Sequence, residues 1–227
     1  MKKEEAQHLL EETRNSYNTM AKEFSASRAA FWEELLPLAD YAKEGMQVLD
    51  LGCGNGRFYP VLKKRNIVYT GLDYSRGLLE EARHLHPEGV FIEGDATKLP
   101  FPDKSFDAIY SFAVIHHIPS HTLRKKFIEE AARVLRSGGM LILTSWYLWQ
   151  PAHFGKLALS MNPFSKLERG DLMLIFGKKK HPRYVHAFTE RELQKLIEAG
   201  GFTISTLQIV ARKSGAKNIA VIAKKKN

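Results

Sequence analysis

The strongest constraint on the fold of this chain is a repeated alternation of short apolar runs with amphipathic helical stretches. The runs are MQVLDL (46–51), NIVYTGLD (66–73), GVFIEGD (89–95), FDAIYSFA (106–113) and GGMLILTSW (138–146). Helical patterns at about 57–65, 75–85 and 120–136 lie between them. Strands buried on both faces read as nearly continuous apolar runs, and helical crossovers between them enforce parallel pairing. The predicted class is therefore α/β, a mostly parallel sheet with helices on both faces. TERELQKLIEAGGF predicts one more helix, opened by Thr189 and Glu192 as a capping box and stopped by a glycine pair. TISTLQIVAR and NIAVIAKK, joined by KSGAK, predict a closing hairpin with one antiparallel strand. Ahead of the sheet, residues 4–40 read as two or three amphipathic helices, broken near Asn15–Asn18 and Ser25–Ser27.

A chain of 227 residues, 44% hydrophobic, fills one sizeable domain. It divides into an N-terminal helical lid (1–44), a core (45–146), a substrate-side insertion (147–188) and a closing helix and hairpin (189–227). No apolar run is long enough to span a bilayer, and the N-terminus has no signal-peptide core. The single cysteine, Cys53, excludes a disulfide framework and fits a cytoplasmic setting. A net charge of +9 favours an anionic partner such as nucleic acid or a membrane surface, although a soluble enzyme can simply be basic. One basic cluster, Lys178–Lys180 with Arg183, falls in an irregular stretch near the candidate site.

In such sheets ligands bind beyond the carboxyl ends of the strands. The first strand ends in Asp50-Leu-Gly52-Cys-Gly54-Asn55-Gly56, whose alternate glycines let the backbone turn tightly against a ligand. Arg57 stands where a dinucleotide-binding loop needs its third glycine, which disfavours a dinucleotide pyrophosphate. The second strand ends at Asp73, placed to accept two ribose hydroxyls, and the third at Asp95-Ala96, placed to accept from an exocyclic amine. Acids at three successive strand ends point to an adenosine-containing ligand.

The segments VLDLGCGNGRF, GLDYS, EGDATKLPFPDKSFDAIYS and RVLRSGGMLIL resemble class I S-adenosylmethionine-dependent methyltransferases. The resemblance implies a Rossmann-like seven-stranded sheet with an antiparallel last strand. It implies S-adenosylmethionine as cofactor and S-adenosylhomocysteine as product. Gly52, Gly54 and Gly56, with Asp50 and Asn55 in the same loop, would wrap the methionine moiety. Asp73, followed by Tyr74, would bind the ribose, Asp95-Ala96 the adenine, and Ala113 would border the ligand at the end of the fourth strand. YNTMAKEFSASRAAFWEEL, AVIHHIPSHTLRKKFIEEAARVLRSGG and RYVHAFTERELQKLIEAGGF narrow the resemblance to the tRNA wobble-uridine carboxymethyl methyltransferases. These esterify the carboxylate of a 5-carboxymethyl uridine, so the implied partner is tRNA rather than DNA or a membrane. Eukaryotic members often need a small zinc-binding protein. Where the family carries Arg-Tyr-Tyr-His-Leu-Phe, this chain has Arg183-Tyr184-Val185-His186-Ala187-Phe188.

The paired histidines in SFAVIHHIPSH invite a metal reading. Successive strand residues point to opposite faces, Pro119 interrupts the His117–His121 spacing, and no carboxylate cluster completes a ligand set. No metal is expected. Instead His116 is expected to line the pocket and place the substrate, with His117 packed against the following helix. Arg183, Tyr184 and His186 have the chemistry to orient a carboxylate acceptor, and Tyr17 and Arg28 could close over the cofactor as part of a lid. Trp146, Tyr147 and Trp149 could stack a base. Two other readings remain: a small-molecule methyltransferase, and a catalytically silent cofactor-binding partner.

Overall fold

A computed structural model describes residues 1–28, 30–160, 167–176, 181–213 and 215–226. The five expected parallel strands are all present. β1 (Gln47–Leu51), β2 (Val68–Asp73), β3 (Phe91–Glu93), β4 (Phe106–Phe112) and β5 (Leu135–Trp146) are parallel neighbours in the order β3-β2-β1-β4-β5. The closing hairpin, β8 (Phe202–Ala211) and β9 (Lys217–Lys225), completes seven strands, with β9 antiparallel between β5 and β8.

Side-chain alternation gives the central strands two buried faces. Val48, Ala108 and Ile142 join a cluster with Leu35, Tyr59 and Leu79, which comes from the 3-10 helix Glu33–Tyr41, α2 (Tyr59–Lys63) and α3 (Arg76–Leu85). Leu49, Ile109 and Leu141 join the opposite cluster with Phe127, Ile128 and Leu193, from α4 (His121–Val134) and α6 (Glu190–Ala199). Thr189 caps α6 by accepting from the Glu192 N–H, but the Glu192 side chain turns to His186 instead of completing the capping box.

Two sequence expectations fail. α1 runs unbroken from Lys3 to Ala26, through the break expected at Asn15–Asn18, and ends at the one expected near Ser25–Ser27, where Ser27 is the C-cap. Asn and Ser favour breaks because their side chains compete for backbone bonds; here those side chains bond elsewhere. Ser16 donates to Pro182 O, and Asn18 accepts from Ser75 Oγ and the Gly77 N–H at the start of α3. The insertion is also more regular than expected. After α5 (Phe154–Ser160) it contains a hairpin of β6 (Asp171–Phe176) and β7 (His181–His186), packed against α1. The Lys178–Lys180 cluster lies outside the described residues. Among the described residues, no helix is long and apolar enough to cross a membrane.

Candidate active site

A cleft with about 1,210 Å³ of empty space, counting its open mouth, sits over the carboxyl ends of β1, β2 and β4. The glycine loop forms its floor. Gly52 has φ +81°, and a Cβ there would come within 2.2 Å of Val114 Cγ2, so the loop tolerates no side chain at this point. Asp73 holds the loop in place by accepting from the Gly54 N–H and Ser75 N–H at 2.8 Å each. Each of its oxygens thus takes one backbone donor, which leaves lone pairs for ligand hydroxyls. Burial pushes the Asp73 carboxyl up, against those backbone donors. Burial also raises Asp50 to about 7, although Tyr69 Oη donates to it at 2.8 Å. Asp95 receives both Thr97 donors on Oδ1, at 2.7 and 2.8 Å.

Of the residues singled out in sequence, Asp50, Gly52, Gly54, Asn55, Asp73, Tyr74, Asp95, Ala96, Ala113, Tyr17, Arg28 and Arg183 all line this cleft. Ala113 adopts a left-handed φ of 60°, held by bonds from its N–H to Thr144 O and Oγ1. Gly56 does not reach the cleft; its φ of +73° serves a close approach to Phe91 and His86 behind the loop.

The histidine assignment is reversed. Residues 115–117 form a 3-10 turn rather than an extended strand, so the alternation argument does not apply to them. His117 lines the cleft. Its Nδ1 donates to Tyr184 O at 3.0 Å, which leaves Nε2 to accept from Tyr17 Oη at 3.1 Å. Tyr17 Oη in turn accepts from Arg183 Nη1 at 2.8 Å. Burial, then the Arg183 cation, pushes the His117 imidazole down to about 3, so it is neutral at physiological pH. His116 lies behind the cleft wall, fully buried, stacked on Trp146 with ring centroids 4.5 Å apart and accepting from the Trp146 N–H.

Tyr184 and His186 are also displaced from the expected role. Neighbours along a strand point to opposite faces, so β7 sends Arg183 into the cleft and Tyr184 away from it. Tyr184 Oη donates to Asp171 at 2.6 Å and accepts from Arg124 at 3.1 Å. His186 bridges Asp171 at 2.7 Å and Glu192 at 2.8 Å. Arg124, buried, adds Glu168 at 2.8 Å. This charged cluster fastens the β6–β7 hairpin to α4 and α6. Among the described residues, no group of three His, Cys, Asp or Glu side chains converges to hold a metal.

Sequence reasoning misses Phe31, Trp32 and Arg57 on the cleft wall. Arg57 follows the glycine loop directly, a position that motif spacing marks only as a missing glycine. Trp146, one of three tryptophan-strand candidates for stacking, does line the cleft, under the Arg183 guanidinium at 4.7 Å.

Residues 49–143 match the family described as a methyltransferase domain. A relative from Encephalitozoon cuniculi, named as a methyltransferase, is 35% identical over 194 residues, which is 83% of this chain and 85% of that one. The tRNA (carboxymethyluridine(34)-5-O)-methyltransferase of Arabidopsis thaliana is 33% identical over 57% of this chain. The match spans only 31% of that relative's length. Among solved structures, one described as a SAM-dependent methyltransferase from Methanosarcina mazei has a TM-score of 0.76 at 23% identity, covering 87% of this chain and 99% of its own.

Proposed function

This chain belongs to the methyltransferase family, and on that premise we propose that it methylates the carboxylate of a 5-carboxymethyl-type wobble uridine in tRNA, using S-adenosylmethionine. The cleft fits the cofactor on its own chemistry: a floor closed to side chains at Gly52, and Asp73 and Asp95 with lone pairs to spare. Asp73 would hold the ribose and Asp95-Ala96 the adenine, with the Gly52–Asn55 loop under the methionine end. Bound there, the cofactor supplies a methyl group already activated on a sulfonium.

The observation that carries the reading is the chain Arg183–Tyr17–His117 at the cleft wall. A carboxylate is ionised at neutral pH, so no residue has to remove a proton from it. It needs orientation, which a planar guanidinium gives bidentately. Arg183 offers that grip, and neutral His117 limits competing charge. Trp146 offers a face for the base. His116, Tyr184 and His186 act indirectly: His116 backs Trp146, while Tyr184 and His186 anchor the strand that carries Arg183. With the cofactor bound, an acceptor oxygen held by Arg183 would receive the activated methyl and leave S-adenosylhomocysteine, and the contribution of these residues would be chiefly positioning. Residues 1–44 act as a lid on this reading, and a small activating protein is the partner that the tRNA assignment brings with it.

A second reading, a small-molecule acceptor, is favoured by α1 itself, whose Leu10, Thr13, Arg14 and Tyr17 cover the cleft. Labelled methyl transfer to bulk tRNA, yielding the ester nucleoside on digestion, is the expected result. Label passing to a metabolite extract and not to tRNA would select the small acceptor. Arg183→Ala should abolish most transfer while S-adenosylhomocysteine still binds.

A further inference from the structure

Two guanidinium groups press on one indole at the edge of the cleft. Arg57 Cζ lies 3.8 Å from the Trp32 ring centroid and Arg212 Cζ lies 4.6 Å from it. Trp32 and Phe31 form a wall with the cleft on one side, where Arg57 sits, and a shallow outer pocket on the other, where Arg212 sits. Arg57 Nη1 is buried without a hydrogen-bond partner. Neither arginine pairs with a carboxylate among the described residues. The nearby acids attract them without a direct pair: Asp50 favours the Arg57 cation and Glu34 the Arg212 cation, but Asp50 takes its hydrogen bond from Tyr69, Glu34 from the Lys213 N–H at 2.7 Å, and Glu33 pairs with Lys213 Nζ.

Such an arrangement is costly without a ligand. Burial first, then repulsion from Arg28 and Arg212, lowers the Arg57 guanidinium to about 10, which still leaves it a cation at neutral pH. Like charges held together, one with an orphaned buried donor, destabilise a fold unless an anion joins them. Guanidinium forks match phosphate geometry, and stacking on an aromatic face holds them in place. One fork faces the cleft and the other the outer pocket, so a phosphate-bearing strand that passes the Trp32 edge into the site meets Arg212 first and Arg57 next.

We propose that Arg57 and Arg212, braced on Trp32, form a receptor for the backbone phosphates of the RNA strand that delivers the acceptor nucleotide to the cleft. The inference rests on the tRNA reading above, which by itself says nothing of where the strand crosses the surface. The Arg212 end lies at the tip of the β8–β9 hairpin, which closes the same end of the sheet as the glycine loop.

The test uses the whole chain, an anticodon stem-loop RNA carrying 5-carboxymethyluridine, and the free nucleoside, which has no phosphate. Arg212→Ala should lower kcat/KM on the stem-loop relative to the nucleoside about tenfold, the loss of one charge-assisted contact. It should also flatten the slope of log affinity against log salt by about 0.7. Arg57→Met keeps the aliphatic stem on Trp32 and should weaken stem-loop binding to a similar degree. Arg57→Lys should restore part of that loss. Equal losses on stem-loop and nucleoside would overturn the proposal. So would a defect of Arg57→Met confined to S-adenosylhomocysteine affinity, which would assign Arg57 to the carboxylate of the cofactor. If the unaltered chain methylates neither substrate, the functional reading fails. Fluorescence anisotropy with the same stem-loop then still decides the receptor, which an unchanged affinity and salt slope in the double variant would refute.

Discussion

Replacing Asp171 with asparagine removes one charge from the buried cluster that fastens the β6–β7 hairpin, and the geometry of that cluster sets the cost. Asp171 is 1% exposed; it takes Tyr184 Oη and His186 Nδ1 on one oxygen and the Glu168 N–H on the other. An amide can serve the first oxygen's partners but presents its own N–H groups to Glu168 N or to them. Of its two carboxylate partners, Asp171 at 3.9 Å and Glu168 at 2.8 Å, Arg124 keeps only Glu168, which is partly solvated. Breaking a buried charged group of this kind costs about 3–5 kcal/mol, a large share of the roughly 5–15 kcal/mol that holds a domain together. At about 2–4 °C per kcal/mol for a chain of this size, the midpoint should fall by about 6–20 °C. The effect should depend on pH. Burial alone would lower His186, but its bonds to Asp171 and Glu192 raise it above the usual histidine range. A raised folded pKa contributes stability that is complete below the unfolded value, near 6.5, and is lost as pH rises through the folded one. The gap between the unaltered chain and Asp171→Asn should therefore be widest in mild acid and narrow toward alkaline pH. Urea denaturation across about pH 5.5 to 8.5 measures it. A difference under about 1 kcal/mol, or one constant with pH, would refute the assignment of Asp171 as the shared acceptor.

The cleft itself supports four more tests. Gly52→Ala should lose about 1–2 kcal/mol to its left-handed backbone alone and more to the Val114 clash, so an unchanged melting midpoint with normal cofactor binding would show that the loop sits elsewhere. Asp73→Ala should weaken S-adenosylhomocysteine by about 1.5–3 kcal/mol, the loss of a charge-assisted hydrogen bond; unchanged affinity by calorimetry would remove it from the ribose position. His117→Phe should cut methyl transfer sharply by breaking the links to Tyr17 and Tyr184, whereas His116→Phe, which keeps the stack on Trp146, should cost mainly stability; the opposite ranking would restore the order expected from sequence. A chelator should leave transfer intact, and loss reversed by zinc would reveal a metal or a metal-bearing partner.

The strand-end floor of the cleft is legible in the sequence because its chemistry is local. Asp50 to Gly56, Asp73 and Asp95 each sit at the end of an apolar run, and a parallel sheet brings strand ends together without further information. The wall proposed for the acceptor depends on contacts between distant segments. Tyr17, His117 and Arg183 meet only after α1 and the β6–β7 hairpin dock, and each alone reads as core or surface. His116 and His117 exchange roles because strand alternation stops where β4 gives way to a 3-10 turn, a boundary the residues do not announce. α1 looks broken at Asn15–Asn18 because local propensity treats Asn18 as a breaker; it cannot see that the side chain caps the start of α3. Gly56 misleads for the reverse reason, since a glycine in the right motif position can serve packing rather than the ligand.

Tyr17 adds a consequence for which acceptors are admitted. Its hydroxyl already stands between Arg183 and His117, so an incoming oxygen meets an occupied berth and has to evict a resident phenol. Trading a neutral oxygen for an anionic one strengthens the bond from Arg183, because charge-assisted hydrogen bonds are roughly twice as strong as neutral ones. Trading it for another neutral oxygen gains nothing and still displaces Tyr17. Entry becomes an exchange whose sign is set by the charge of the newcomer, and an uncharged amide or ester of the right size loses the contest with a side chain of the protein itself.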